Sequence, residues 1–434
     1  MPRWETIVFD AAGAADFAPA SALDALEADV ARAARSLETR ECPGADRLGW
    51  LDPEAACPAA ERAAIREEAE RARADCDAYV VIGIGGSYLG ARAVREALRG
   101  HADGPELFFA GTGLHAGATA RLLRDLRDRD VRVCAISKSG TTLEPALALR
   151  FWREFLERKY GRAGAARRIT AVTDAHRGAL RALAVAAGWR VFAVPDDVGG
   201  RFSVLTPVGL LPLAVAGLDI DALVAGATSM RQACREPRLR DNPAHFYAAH
   251  RHVLGARGFR TEILSAFCED LRWLQEWWKQ LFGESEGQRG RGLFPAAATM
   301  TADLHSLGQY IQDGPRDLFE TFLCARETAP ALRVPAVEFP ADPEADDGLG
   351  ALAGRSLDAI NALAWEGVRQ AHVAGGVPCL ELTLDRLDPR TVGGLIHFFE
   401  KAVAVSGLLL GVNPFEQPGV EAYKREVSRL LGRR

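Results

Sequence analysis

A chain of 434 residues, 48% hydrophobic and 26% charged, can bury a substantial core and is long enough for two α/β lobes. Its net charge of −5 gives no basic footprint for nucleic acid, and nothing in it reads as a membrane span or a secretion signal. The eight cysteines (42, 57, 76, 134, 234, 268, 324 and 379) form no CxxC pair and no short spacing to histidine, which disfavours zinc or a disulfide framework and fits reduced thiols in a cytoplasm.

Residues 1–75 read as an alanine- and arginine-rich helical segment, with apolar spacing at Leu23, Leu26 and Val30 and a solvated charged run from Glu61 to Arg73. From there the pattern becomes strands at 79–84, 107–110, 131–136, 169–173 and 190–194, with helices near 119–127, 144–160 and 178–187. That alternation predicts a doubly wound parallel sheet in a first α/β domain over 76–230. Its first strand, Tyr79-Val-Val-Ile-Gly-Ile84, runs into Gly85-Gly86-Ser87 and a helix. Such a turn brings backbone N–H groups and one hydroxyl close to an anionic or polyhydroxy ligand. A dinucleotide fingerprint would need glycine where Tyr88 stands, and a Walker loop would need a lysine; neither fits.

The strand at 131–136 leads into Ser137-Lys-Ser-Gly-Thr-Thr142 and then a helix. Four hydroxyls, a lysine and a glycine at a helix N-terminus make a concentrated oxyanion site, with phosphate as its natural ligand. A polar helix cap would explain one or two of these six residues and leave Lys138 unexplained. Lysine is scarce here, five among 53 basic residues, which suggests that a compact ammonium rather than a planar fork is wanted at some of those places. Further on, Gly199 and Gly200 let the backbone turn sharply and aim Arg201 into the cleft, while Asp196 and Asp197 read as turn formers.

A polar connector near 231–244 introduces a second α/β domain, taken as 231–411. It has strands at 261–266 and 378–384, helices at 270–282, 301–312, 356–372 and 388–406, a glycine-rich loop at 283–294 and an acidic loop at 341–348. Gly283-Glu-Ser-Glu-Gly287 satisfies the G-x-S-x-G pattern, but a nucleophile elbow follows a strand and this stretch follows an aromatic-rich helix. Read instead as two carboxylates, Glu284 and Glu286, with His305 downstream, it offers a general base and a separate proton-transfer group. A closing segment, 412–434, carries a loop punctuated by Asn413-Pro414 and Gln417-Pro418-Gly419, and then a short helix with a second conspicuous lysine, Lys424.

Taken in order, Val81-Ile-Gly-Ile-Gly-Gly-Ser87, Ser137-Lys-Ser-Gly-Thr-Thr142, Gly199-Gly-Arg-Phe-Ser203, Gly283-Glu-Ser-Glu-Gly287, Asp303-Leu-His-Ser306 and Gln417-Pro-Gly-Val-Glu-Ala-Tyr-Lys424 resemble the glucose-6-phosphate isomerase (phosphoglucose isomerase) family of the shorter bacterial kind. The resemblance runs from about Leu48 to the C-terminus. It implies two α/β/α sandwich domains of the sugar-isomerase (SIS) type with parallel sheets and helical extensions at both ends. It also implies a homodimer without metal or cofactor, and interconversion of glucose 6-phosphate and fructose 6-phosphate.

The resemblance further implies residue roles. Ser137, Lys138, Ser139, Thr141 and Thr142 would take the phosphate, and Gly86 and Ser87 would face the sugar. Glu284 would shuttle the proton between C1 and C2, and Arg201 would stabilise the enediolate. His305 and Lys424 would open the ring, with Gln417 beside them and His305 reaching in from the other subunit. Two departures are visible: a basic loop, Gln288-Arg-Gly-Arg-Gly292, and an N-terminal 45 residues that match poorly. An isomerase for another phosphosugar, such as mannose 6-phosphate, or a non-catalytic sugar-phosphate sensor are the alternatives.

Overall fold

Short apolar runs become the strands β1 (Arg3–Trp4), β2 (Ile7–Asp10), β3 (Ala78–Ile82), β4 (Glu106–Ala110), β5 (Val131–Ile136), β6 (Ile169–Thr173) and β7 (Arg190–Ala193), then β8 (Thr261–Ala266), β9 (Phe294–Thr299), β10 (Leu318–Glu327) and β11 (Cys379–Arg386). This is a computed structural model, and it describes residues 3–328, 332–337 and 346–432. The first sheet has the order β4-β3-β5-β6-β7 and is parallel throughout. Every residue of β3, β5 and β6 is buried, which is why these strands read as continuous apolar runs.

The second sheet has the order β1-β2-β11-β10-β8-β9, and its β11, β10, β8 and β9 are parallel. Here the structure corrects the expected all-helical N-terminal segment. Ile7 and Phe9 turn inward from β2, which pairs antiparallel with β11 in the register Leu384↔Ile7 to Glu381↔Asp10. So 1–75 supplies two strands as well as helices, and the second sheet is mixed at that edge. Two further strands escaped the sequence pattern. β9 is Phe-Pro-Ala-Ala-Ala-Thr, which has little β-propensity and a proline that only an edge strand tolerates. β10 carries Glu320 and Thr321 fully buried in its middle, which masks it as an apolar run. The acidic loop expected at 341–348 lies for residues 341–345 outside the described residues.

The core is centred on the helix Pro389–Leu409, buried continuously from Thr391 to Gly407. It is 21 residues long and apolar enough on average to cross a membrane, but His397, Glu400 and Lys401 interrupt its apolar run and 89% of its apolar window is buried inside the protein, as in a core helix. It crosses the helix Ile220–Ala233 at a pair of glycines. A Cβ on Gly393 would lie 1.9 Å from the Leu223 carbonyl oxygen, and one on Gly226 would lie 1.9 Å from that of Arg390. Only glycine permits this approach from either side. All eight cysteines are free, and burial pushes the thiols of Cys57, Cys76, Cys134 and Cys234 up to about 12, so they remain protonated and inert.

The helix Arg272–Glu286 bridges the two sheets. It extends four residues beyond the 270–282 expected, because its last turn is tied down from inside the protein. Arg251, 1% exposed, donates from Nη1 and Nη2 to the two Glu286 carboxylate oxygens at 2.5 and 3.1 Å and from Nε to Glu262 at 2.5 Å. Glu262 also accepts from Tyr247 at 2.5 Å and Thr321 at 2.7 Å. Burial works against the Arg251 charge, but Glu262 and Glu286 outweigh it and raise its pKa above the usual guanidinium range. Arg251→Met leaves two buried carboxylates unpaired and is expected to cost about 3–5 kcal/mol of stability. Urea unfolding checks this: a lowered midpoint at unchanged slope is the expected result, and a loss below about 1 kcal/mol would show that the pair is not what holds the helix end.

Candidate active site

Three loops meet at the carboxyl ends of the first sheet. The turn Gly85–Ser87 leaves β3 with Gly85 at φ +55°, a conformation suited to glycine. A Cβ on Gly86 would sit 2.1 Å from the Gly200 carbonyl oxygen, and one on Gly85 would sit 2.8 Å from Gln280 Nε2. The glycine turn is therefore pressed against both the Arg201 loop and the Arg272–Glu286 helix. Bulk at Gly86 would displace the Arg201 loop, and bulk at Gly85 would displace Gln280, which holds Glu284.

Arg201 is 4% exposed and every N–H of its guanidinium has an acceptor. Its Nε donates to Ser285 Oγ at 2.8 Å. Nη1 donates to Gln417 Oε1 at 2.7 Å and Glu284 Oε2 at 3.3 Å, and Nη2 donates to the carbonyls of Pro414 at 2.6 Å and Glu416 at 3.1 Å. Its own carbonyl accepts from Trp277 Nε1 at 3.2 Å. Aromatic packing fixes both chains involved: Phe202 stacks on Trp50 at 4.9 Å and lies 5.5 Å from Phe415, which stands between the two accepting carbonyls. Burial lowers the Arg201 pKa, with Glu284 acting against that.

Glu284 stands in the last turn of its helix, not in a loop, and each of its carboxylate oxygens receives one hydrogen bond. Oε2 accepts from Arg201, and Oε1 accepts from Gln280 Nε2 at 3.1 Å, with the side chain 27% exposed to the crevice. Glu286 is fully buried against Arg251, so the two carboxylates that the sequence pairs are separated by the helix into one open acid and one structural acid. Ser285, the centre of the G-x-S-x-G match, is buried and accepts from Arg201. Gln280, Ser285, Trp277 and Gln288 were not foreseen as supports. Gln280 lies one helical turn before Glu284, a spacing that becomes visible only once the helix is known to continue that far.

Ser137 follows β5, and the turn after it is built from its own hydroxyls. Gly140 N donates to Ser137 Oγ at 3.0 Å, and Thr141 donates from N at 3.2 Å and from Oγ1 at 3.0 Å to Ser139 Oγ. Thr142 is the N-cap of the helix Leu143–Arg167 and makes no side-chain capping bond. Lys138 turns away from this helix end: its ammonium donates to the carbonyls of Asp196 at 3.1 Å and Pro195 at 3.4 Å and stands 3.5 Å from Asp196 Oδ1. Of the six, it is the residue that reaches the loop leading to Arg201.

A cavity of about 310 Å³ opens between Gly199, Gly200, Arg201 and Gln417 on one side and Asp46 and Arg47 on the other. A roomier cavity of about 400 Å³ lies behind the Ser137 turn, but apolar side chains such as Leu149, Leu180 and Leu183 dominate its lining. The structure joins Arg201, Glu284 and Gln417 directly. His305 and Lys424 are not joined to them: His305 is exposed at the end of the turn Ala302–His305, and the exposed Lys424 pairs with Glu421 at 3.0 Å.

The phosphoglucose isomerase family model matches residues 69–305 and 353–432. A glucose-6-phosphate isomerase of Symbiobacterium thermophilum is 52% identical over 410 residues, covering 92% of this chain and 90% of the relative. One from Listeria monocytogenes serotype 4b is 47% identical over 436 residues, covering 98% and 96%. Among solved structures, a hypothetical protein from Thermus thermophilus superposes with a TM-score of 0.89 at 30% identity, over 98% of this chain and 99% of that one. A Chlamydia trachomatis glucose-6-phosphate isomerase superposes at 0.79 and 22% identity, over 94% and 86%, which speaks for the fold. An open carboxylate beside a buried guanidinium and a hydroxyl-rich turn, two α/β sheets and matches along nearly the whole chain agree: the chain belongs to the phosphoglucose isomerase family.

Proposed function

We propose that the chain interconverts D-glucose 6-phosphate and D-fructose 6-phosphate. The observation that carries this reading is the open Glu284 carboxylate, held by Arg201 at 3.3 Å and Gln280 at 3.1 Å, since a proton α to a carbonyl needs a positioned base and the resulting oxyanion needs a fixed positive neighbour. The Ser137–Thr142 turn takes the phosphate, and Gly86 and Ser87 face the sugar. Glu284 removes the C2 proton of the opened aldose while negative charge gathers on the C1 oxygen, stabilised by Arg201. Return of the proton to C1, with transfer of the C2 hydroxyl proton to the C1 oxygen, leaves the ketose. Lys424 and His305 serve ring opening, with Gln417 ordering the loop between Arg201 and Lys424. Free thiols fit a reducing compartment, and we place the enzyme in the cytoplasm.

A coupled assay on fructose 6-phosphate, run beside mannose and glucosamine 6-phosphates, tests the assignment. Preferred turnover of fructose 6-phosphate supports it, and preference for either of the others reassigns the substrate.

We place His305 in the site of a second copy of the chain. It is exposed in a neighbourhood where Leu307 and Tyr310 also show apolar surface, as a residue donated across an interface would be. Mixing Glu284→Gln with His305→Ala under subunit exchange is then expected to restore about a quarter of the parental sites, because a mixed dimer carries both lesions in one site and neither in the other. With exchange confirmed independently, no recovery would place both residues in one chain.

A further inference from the structure

Arg47 closes the short turn Ala45–Arg47, ahead of the first residue matched to the family. Its Nη1 donates to the Asp196 carbonyl oxygen at 3.1 Å, and the Lys138 ammonium donates to that same oxygen at 3.1 Å. Two cations thus converge on one neutral acceptor. The countercharge near them is weak: Asp196 Oδ1 stands 3.5 Å from Lys138, and Asp46 pairs with Arg47 at 3.2 Å, with both carboxylates largely in water. Exposed pairs of this kind hold their partners loosely. Arg47 also lines the 310 Å³ cavity that Arg201 and Gln417 bound from the other side.

We propose that Arg47 is a second phosphate-binding cation, which with Lys138 clamps the substrate's phosphate in place of the Asp196 carbonyl. The geometry suits the exchange. A dianion presents several oxygens where the carbonyl presents one, and charge-assisted hydrogen bonds from a guanidinium and an ammonium are stronger than those to a neutral amide. The clamp explains why Lys138 faces away from its own helix N-terminus. Arg47 lines the same cavity as Arg201, so the clamp would tie the phosphate to the rim of the space beside the catalytic guanidinium. The inference rests on the reading of Ser137–Thr142 as the phosphate turn.

The test is inhibition of the full-length enzyme by two unreactive probes, inorganic phosphate and glucitol 6-phosphate. In Arg47→Gln both inhibition constants are expected to rise roughly tenfold or more, as loss of one charge-assisted contact implies. KM for fructose 6-phosphate should rise alongside while kcat falls far less, and Arg47→Lys should recover most of the binding. Raised ionic strength should weaken phosphate inhibition less in Arg47→Gln than in the parent. Lys138→Ala and Thr141→Ala supply the control and are themselves expected to raise both constants about tenfold. If they do and Arg47→Gln leaves both within twofold of the parent, the clamp is wrong and the phosphate turn stands. If none of the three variants moves the constants, the phosphate turn itself is misplaced. An Arg47→Gln loss carried mainly by kcat, or not recovered by lysine, would also overturn the clamp.

Discussion

Glu284→Gln is expected to lose isomerase turnover by a factor of ~10²–10⁴ while keeping its fold and its affinity for a six-carbon sugar phosphate, because an amide keeps the shape of the carboxylate and cannot accept the proton. The local hydrogen bonds predict that the substitution is tolerated. The new amide oxygen can accept from Arg201 where Oε2 does now, and the new amide nitrogen would face Gln280. Gln280 Oε1 is buried without a partner among the described residues, so a flip of that side chain turns its oxygen toward the new donor and keeps the contact between positions 280 and 284. Binding and chemistry should therefore separate. Exchange of the substrate's C2 proton with solvent is the decisive measurement, since a variant that still exchanges at an appreciable fraction of the parent rate would show that another group is the base.

Arg201→Lys should cost kcat about 10²–10³-fold, although the positive charge is formally kept. One ammonium with three donors cannot serve Ser285, Glu284, Gln417 and the carbonyls of Pro414 and Glu416 at once. Of these acceptors Ser285 Oγ and the Pro414 carbonyl are buried, so stability should fall as well wherever one of them is abandoned, by roughly 1–3 kcal/mol. The role in chemistry is separable from the role in structure. An inhibitor with an anionic, enediolate-like head should lose more affinity than a neutral sugar alcohol phosphate of the same length. Equal losses for the two would make Arg201 a brace for the Pro414–Gln417 loop and would leave the oxyanion without its assigned partner.

What could be read from the residues follows from how locally each feature is determined. Strands β3, β5 and β6, buried on both faces, announce themselves as apolar runs, and the Gly85 and Ser137 turns follow them with residues that a helix N-terminus and an anion jointly demand. The Arg201 loop was legible for the same reason. The difference between Glu284 and Glu286 was not, because it is decided by Arg251, 35 residues upstream, and by which side of a helix each acid occupies. Strand β9 was hidden by alanines and a proline of low β-propensity, and β2 by its length of four residues. The roles given to His305 and Lys424 come from resemblance, since neither makes a hydrogen bond or ion pair to Glu284 or Arg201 among the described residues.

The antiparallel pairing of β2 with β11 joins residue 7 to residue 384. During synthesis β2 leaves the ribosome well before its partner, which is made roughly 20–75 s later at ordinary elongation rates. The five-stranded sheet closes over residues 78–193 and can form in that interval; the six-stranded one cannot be completed until β11 has emerged. For that time Ile7 and Phe9 have no sheet to enter, and they are a natural target for a holding chaperone. Refolding of the complete chain should then be faster to regain the first sheet than the second. Deleting the first ten residues should leave β11 as an open edge and promote association through it.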